Sequence, residues 1–519
     1  MAWVTTMISR VEPCLLPAKR ARRASRLVFD SRRALARVPP DMRLLGGWFS
    51  FDSPDAALLV SLLPALVRVR GAERLSLPGV RRGASEQSPR DRLAEAHTCL
   101  RQAVSAVYRS DAQLCLRRAA LLLHRLPRMT IPLALVAACS LAYALANLIA
   151  ITRARRCVPR LRELEAGTPA HWPRLSVIVP ARDEAAELEP AITTRLADDY
   201  PELELVIVDD RSTDGTGAIA EAIAARDARV MVEHVSLLPA GWLGKVYALQ
   251  RGVERASGEW LLFSDADVHF APGTLRRAIA YLESEHADHL SVMPELRPRT
   301  FLVGVVQAAF LRLAVAGGRL AAVADPHSSA AVGGGLFSLV RRAALEGTPG
   351  FEWLRLEVID DLALGQMLKT HGAHARVVNA AGSVWLDFYP SVSEFVRGGE
   401  KNSFALLGGF SYVRLALVLG TLLGLELGAC LPLALPGTPW SVRAGAALAL
   451  ALTTLNGLLV NRWLDRSARE VWLWPLAIVV LAFGGVRSAW LALLRGGIVW
   501  RDTRYSIAAL RAGRRVRFP

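Results

Sequence analysis

Residues 203–216 read LELVIVDDRSTDGT, and this stretch decides the fold. From Leu203 to Val208 the chain is apolar or β-branched apart from Glu204, which suits a strand buried on both faces. Asp209 and Asp210 follow at once, then a run of turn and cap residues, then a helical pattern over Gly215–Ala225. The same order repeats on both sides. Upstream, Leu175–Val179 (LSVIV) leads into Pro180-Ala181-Arg182-Asp183-Glu184 and a helix over Glu187–Leu196. Downstream, Arg229–Val235 reads as a third strand, Lys245–Ala256 as a helix and Trp260–Ser264 (WLLFS) as a fourth strand. Pro272 and Gly273 then open another helix running to Leu282. Steps of about 30 residues are what a βαβ unit needs. The pattern predicts an α/β domain with a mixed, mostly parallel sheet.

In such sheets ligands bind at the carboxyl ends of the strands. Three acidic clusters fall there: Asp183-Glu184, Asp209-Asp210 with Asp214, and Asp265-Ala266-Asp267. Helix capping accounts for Asp214 and extends to Asp183. It does not account for Asp265 and Asp267, two like charges directly after a buried run, which repel unless a cation lies between them. Asp360-Asp361, before the helical run Leu362–Lys369, are a fourth acidic pair, and a cap with a first-turn acid is one reading of them.

The flanks are of another kind. Hydrophobic residues make up 52% of the 519, and the formal net charge is +16. The arginines crowd the first 130 residues and the edges of apolar runs, while the middle is acidic, so the charge fits membrane flanks rather than a nucleic-acid face. Ile131–Ile151 is long enough to cross a bilayer, and Arg153, Arg155, Arg156, Arg160 and Arg162 follow it. Leu415–Leu435, Ala444–Val460 and Val471–Leu494 are three further candidate spans, with Glu426 in the first and Arg487 in the third. Three full crossings here would put the basic tail opposite the central domain, against the positive-inside rule, so one of them is expected to be interfacial or re-entrant. None of Cys14, Cys99, Cys115, Cys139, Cys157 and Cys430 forms a C-x-x-C pair, which fits a reducing compartment. Residues 1–128 are Arg-rich and without a core pattern. They are read as a disordered extension, or as preceding a true start at Met129, and as dispensable.

The motifs SVIVPARDE (Ser176–Glu184), VDDRSTDGT (Val208–Thr216), GWLGK (Gly241–Lys245), GEWLLFSDADV (Gly258–Val268) and VIDDLALG (Val358–Gly365) resemble, in order and spacing, those of family 2 glycosyltransferases with the GT-A, nucleotide-diphospho-sugar transferase fold. The layout of one N-terminal anchor and a C-terminal helix cluster is similar to that of membrane-bound members, including ceramide glucosyltransferase and bacterial hopanoid- and carotenoid-lipid enzymes. The resemblance implies a division into 1–128 extension, 129–152 anchor, 170–403 GT-A domain, 404–495 membrane helices and 496–519 basic tail. It implies that Pro180, Asp183 and Glu184 line the nucleotide pocket and that Asp209 and Asp210 bond the base and ribose. Lys245 would lie near the donor, where a solvated Lys at a helix start is the alternative reading. Asp265 would contact the ribose or a metal, Asp267 would ligate Mg²⁺ or Mn²⁺, and Asp361, beside Asp360, would be the base.

The implied activity is transfer of one sugar, with inversion, from a UDP-sugar or other nucleotide-sugar to a lipid or lipid-linked acceptor. It would take place on the cytoplasmic face of a cell inner membrane that the chain spans several times, with no nucleic-acid partner. Polymerising members carry Q/R-x-x-R-W after the base. Here the stretch is EFVRGGEKN (Glu394–Asn402), with no Arg-Trp pair, although Arg397 and Lys401 are available to phosphates. A processive synthase and a non-catalytic membrane scaffold are the competing readings.

Overall fold

The central strands form because apolar residues alternate onto two faces that are both covered. The computed structural model describes residues 130–165, 167, 169–501 and 503–517; the expected extension 1–128 and Met129 lie outside them. Strands β1 (Leu175–Ala181), β2 (Leu203–Asp210), β3 (Val230–Val235) and β4 (Trp260–Phe263) are parallel, with Val177 opposite Leu205 and Leu262. The sheet continues with β6 (His289–Met293), β8 (Ser338–Arg341) and β9 (Ala375–Asn379), in the order β3-β2-β1-β4-β8-β6-β9. β8 runs antiparallel to both neighbours, and β9 is parallel to β6. A small second sheet joins β5 (His269–Phe270), β10 (Val384–Asp387) and β7 (Glu295–Arg297).

Val177, Val179, Leu205, Ile207 and Leu262 face one helical layer: α2 (Leu188–Leu196), α3 (Thr216–Ala224) and α5 (Thr274–Ser284). Ile178, Val206, Val208, Leu261 and Phe263 face the other, α4 (Gly244–Arg255) and α7 (Asp360–Thr370). The α/β domain is thus the mixed, mostly parallel one the sequence predicts, with strand and helix ends within two residues of expectation.

The apolar helices differ more. α1 (Thr130–Cys157), α10 (Trp440–Trp463) and α11 (Trp474–Leu494) are long and apolar enough to cross a membrane. So is a fourth that the sequence reading missed, α6 (Phe301–Gly317 and its extension to Ala322). The expected span Leu415–Leu435 is not one helix. α9 covers Tyr412–Leu427, a break at Gly428 precedes the short helix Cys430–Ala434, and α9 meets Glu400–Gly408 at an 86° bend.

Packing orders these helices. Arg160, just past α1, bonds Asp465 (2.9 Å) and the Trp463 carbonyl (2.9 Å) just past α10, while Asn379 of β9 bonds the same carbonyl (2.6 Å). Both helices therefore end at the α/β domain. At their far ends Ala137 packs with Ala446 and Ala429. α9 leads away from the domain: Leu415 packs with Phe404 and Phe410, and Glu426 reaches Tyr143 of α1. α6 and α11 instead meet the domain at both ends. α6 starts after β7, beside Glu470, and its last turns pack with Val158 and Trp463. α11 starts against Val305 and Val306 of α6, in a cluster that Val392 and Phe395 of the α/β domain also join, and its last turns join Phe404 and the sheet-facing core.

The two charges noted in the sequence within apolar runs, Glu426 and Arg487, are both paired with other elements. Arg312 of α6 holds Glu426 of α9 through two bonds (3.0 and 2.7 Å), and the Tyr143 hydroxyl donates to Glu426 (2.8 Å). Arg487 bonds Glu400 (2.6 Å). After α11 the chain forms a hairpin, β11 (Gly497–Trp500) and β12 (Thr503–Ser506), then a short helix, Ile507–Gly513. This tail packs on the α/β domain: Arg501 bonds Glu184 (2.8 Å), Val516 N–H donates to Glu357 (3.0 Å) and Arg517 N–H to Gln366 (3.0 Å).

Candidate active site

Each acidic cluster leaves its strand at the same edge of the sheet, and the turn chemistry sorts the acids by role. Asp183 sits at φ 54°, a left-handed conformation that short polar side chains tolerate. Its Oδ1 accepts from the Thr213 N–H (2.8 Å), and its own N–H donates to Ser212 Oγ (3.1 Å). Asp214 accepts from the Ala185 (3.0 Å) and Thr216 (3.1 Å) N–H groups; these bonds, with that from the Thr216 hydroxyl foremost, hold its pKa below the usual carboxylate range. Asp209 accepts from Ser212 N–H (3.2 Å) and lies 3.0 Å from His234 Nδ1. Asp183 and Asp214 tie the loops after β1 and β2 together, Asp209 braces the second loop against β3, and neither Asp183 nor Asp209 lines the site cavity.

The remaining sequence-predicted residues come together. Pro180, Glu184, Asp210, Lys245, Asp265, Asp267, Asp360 and Asp361 all line one cavity of about 1310 Å³. Asp210 is held by Arg211 (2.7 Å). Lys245, at the start of α4, is no solvated surface amine: its Nζ is 2.6 Å from Asp265 and 3.9 Å from Asp360. Burial disfavours its charge, but Asp265, Asp360 and Asp361 outweigh that and hold its pKa above the ordinary lysine value. Burial, then Asp265 and Glu184, push the Asp267 carboxyl up to about 6. Asp361, in the first turn of α7, accepts from the N–H groups of Leu362 (2.7 Å) and Gly335 (3.0 Å). Burial raises both Asp360 and Asp361, against the pull of Lys245.

Sequence reasoning missed three contributors. Gly335 donates to Asp361 and its carbonyl accepts from Asp265 N–H (3.2 Å), so one residue links the two carboxylate clusters. Its neighbour Gly333 lies so close to α7 that a Cβ there would meet the Asp361 carbonyl oxygen at 1.7 Å. The triple glycine 333–335 ahead of an apolar strand was the available signal. Arg195 is fully buried under the Asp265–Asp267 turn, donating to the Val268 carbonyl (3.1 and 2.8 Å) and to that of Asp265. Its mark in sequence is a guanidinium on the same helical face as the buried Leu188, Ala191 and Ile192. The third is the C-terminal hairpin, which brings Trp500, Arg501, Thr503 and Tyr505 to the cavity wall.

The cavity has two chemically distinct limbs. One holds the carboxylates and cations just named. The other is apolar and walled by one face of each of three helices: Phe310, Leu313 and Ala314 of α6, Val418 and Leu422 of α9, and Val480 of α11.

Acids at the strand ends of a mixed, mostly parallel sheet, on a cavity that also has an apolar wall, are the site of a glycosyltransferase. Residues 176–301 match the family model "Glycosyl transferase family 2", and the acidic ends of β1, β2 and β4 lie within that match. Among its relatives is the 4,4'-diaponeurosporenoate glycosyltransferase of Staphylococcus aureus, 25% identical over 346 residues that cover 64% of this chain and 88% of that protein. The enzyme of the same name from Staphylococcus haemolyticus is 30% identical over 122 residues, 23% of this chain and 32% of that one. Among solved structures, a mannosyltransferase from Pyrobaculum calidifontis in complex with GDP-Man and Mn²⁺ aligns with TM-score 0.45 and 20% identity, over 68% of this chain and 99% of that one.

Proposed function

We propose that this protein moves one sugar, with inversion at the anomeric carbon, from a nucleotide-sugar to a lipid acceptor drawn from the membrane. The cavity carries the proposal: part of its wall is ionic and suits a nucleoside diphosphate, and part, from α6, α9 and α11, is apolar. A relative named for a carotenoid acid supports an acceptor of this kind. In the reaction the acceptor oxygen attacks the anomeric carbon while Asp361 takes its proton. Gly335 and Leu362 hold the Asp361 carboxylate by their N–H groups, and Lys245 sets Asp265 and balances the charge of Asp360. Asp183, Asp209 and Asp214 act at one remove, fixing the loops that carry Glu184 and Asp210.

Asp267 and Asp265 would hold a divalent cation. Asp267 fits that task because it is buried beside two other carboxylates, a repulsion a cation relieves. Two acid side chains rather than an all-protein cage suit Mg²⁺ or Mn²⁺, which keep waters and take substrate oxygens as ligands. When bound, the ion supplies stabilisation for the departing diphosphate. With full-length protein in membranes and a panel of labelled nucleotide-sugars, label should enter the organic phase. Asp267→Asn should abolish Mn²⁺-dependent donor binding and that labelling together. Label in a water-soluble polymer would favour a processive synthase, and an Asp267→Asn protein with intact Mn²⁺-dependent binding would remove the metal assignment.

The same reading includes a topology in which the catalytic domain is cytoplasmic. α1, α9 and α10 cross, whereas α6 and α11 lie along the cytoplasmic interface. Both ends of α6 and of α11 abut the α/β domain, and the basic tail after α11 is bonded to that domain, as the positive-inside rule requires. The exposed residues of α11, namely Leu476, Val479, Phe483, Val486, Trp490 and Leu493, recur every three or four positions, the stripe of a helix lying on a surface. In sealed vesicles with the catalytic domain inside, an impermeant maleimide should label Pro436→Cys and spare Ala508→Cys until the membrane is permeabilised, in a cysteine-free background. Labelling of Ala508→Cys from outside would mean that α11 crosses.

A further inference from the structure

The stretch Glu394–Asn402 lacks an Arg-Trp pair, yet a guanidinium and an indole stand beside it in space. They come from the hairpin about a hundred residues later in the chain. β11 and β12 are joined by a two-residue link, which needs left-handed backbone; Arg501 takes it at φ 44° and stands at the tip. There its Nη2 lies 2.8 Å from Glu184, a wall residue of the ionic limb. Trp500 also lines the cavity, and the Lys401 ammonium sits 3.9 Å from its ring centroid. Thr503 and Tyr505 of β12 complete this side of the wall. The hairpin therefore covers the carboxylate cluster with positive charge, on a site where the leaving group is an anion.

We propose that Arg501, with Trp500 holding Lys401, forms the leaving-group end of the donor site; this rests on the nucleotide-sugar reading given above. In transfer the acceptor oxygen bonds to the anomeric carbon, and the bond from that carbon to the distal phosphate oxygen breaks. The electron pair stays on that oxygen, and the acceptor proton goes to the base. The phosphate gains negative charge as the bond breaks, and cations placed at that oxygen stabilise the transition state more than the ground state. Arg501 bonds the half-buried Glu184 on the cavity wall. A diphosphate offers its guanidinium more acceptor oxygens and more negative charge than that single carboxylate. Cation–π contact with Trp500 fixes the long Lys401 side chain over the same limb.

The test compares UDP and UMP binding with transfer from a UDP-sugar, using full-length protein in detergent and Mn²⁺. Arg501→Gln should weaken UDP roughly 10- to 100-fold, the scale of a lost charged hydrogen bond, while UMP affinity stays within about twofold. Arg501→Lys should recover part of the UDP affinity, and Trp500→Ala should fall in the same direction as Arg501→Gln. Arg504→Gln, on the same hairpin but outside the cavity wall, should match wild type. Equal losses for UDP and UMP in Arg501→Gln would mean that the hairpin only shapes the pocket, and would overturn the proposal. Unchanged UDP affinity and transfer in Arg501→Gln would overturn it while leaving the donor reading standing. A wild-type protein that binds neither nucleotide, with GDP and GMP also failing, would remove both.

Discussion

Asp361→Asn should bind nucleotide-sugar almost as wild type does and turn over roughly 10²–10⁴-fold more slowly, the usual scale of a lost general base. Binding survives because the polar wall for the nucleotide lies elsewhere, at Pro180, Glu184 and Asp210. The fold survives at the cost of about one hydrogen bond, because Leu362 and Gly335 donate to different Asp361 oxygens and Asn keeps one of the two. What catalysis loses is the charge. In the wild type those two donors and the start of α7 favour the carboxylate form, as does Lys245, while burial and the neighbouring Asp265 oppose it. The net result is a raised pKa for both members of the Asp360–Asp361 pair. A raised pKa means the pair stays protonated, and so unable to accept a proton, to higher pH than an ordinary carboxylate. Single-turnover rates at saturating donor should therefore fall on the acid side, with an apparent pKa that belongs to the pair. Asp360→Asn is the control. If it is the dead variant and Asp361→Asn transfers normally, the base is the neighbour; if both transfer normally, the chemistry is elsewhere.

Arg312→Leu should lower stability by roughly 3–5 kcal/mol, the typical result of stripping one partner from a buried ion pair. Arg312 is 1% exposed and Glu426 is fully buried, and the pair joins α6 to α9 with Tyr143 of α1 as third member. Removing the guanidinium leaves Glu426 with one hydroxyl donor among apolar helices. Glu426→Leu should cost a comparable amount. The double variant Arg312→Leu/Glu426→Leu should regain most of the loss, since matched apolar replacement of a buried pair is often neutral. Thermal midpoints in detergent, read by retention of the folded peak, settle it. Additive losses would show that the two side chains act separately.

The sheet was legible because its central strands are buried on both faces, so Leu175–Val179, Leu203–Val208 and Trp260–Ser264 stand out as unbroken apolar runs. The acids that follow were legible for the same reason: strand ends fix where a ligand meets an α/β sheet. Strand alternation separates Asp210, on the Val206–Val208 face toward α4 and α7, from Asp209 on the opposite face, but only loop bonds separate Asp183 from Glu184, and those were not legible. α6 escaped notice because Gly304, Gln307 and Arg312 interrupt its apolar run, and those residues are explained only by distant partners, Glu470, Arg466 and Glu426. The hairpin escaped for a similar reason. The contact that gives Arg501 meaning spans 317 positions, and no local pattern announces it.

On the proposed lipid-acceptor reading, the apolar limb changes what concentration means for this enzyme. Val418 and Leu422 line it from one face of α9, one turn apart. An acceptor taken up from the membrane along such a wall would not pass through bulk water. Its supply is a mole fraction within a two-dimensional film, and diluting the film with inert lipid or detergent starves the enzyme at constant bulk acceptor. The donor, by contrast, is counted per litre, so each half-reaction obeys the arithmetic of a different phase.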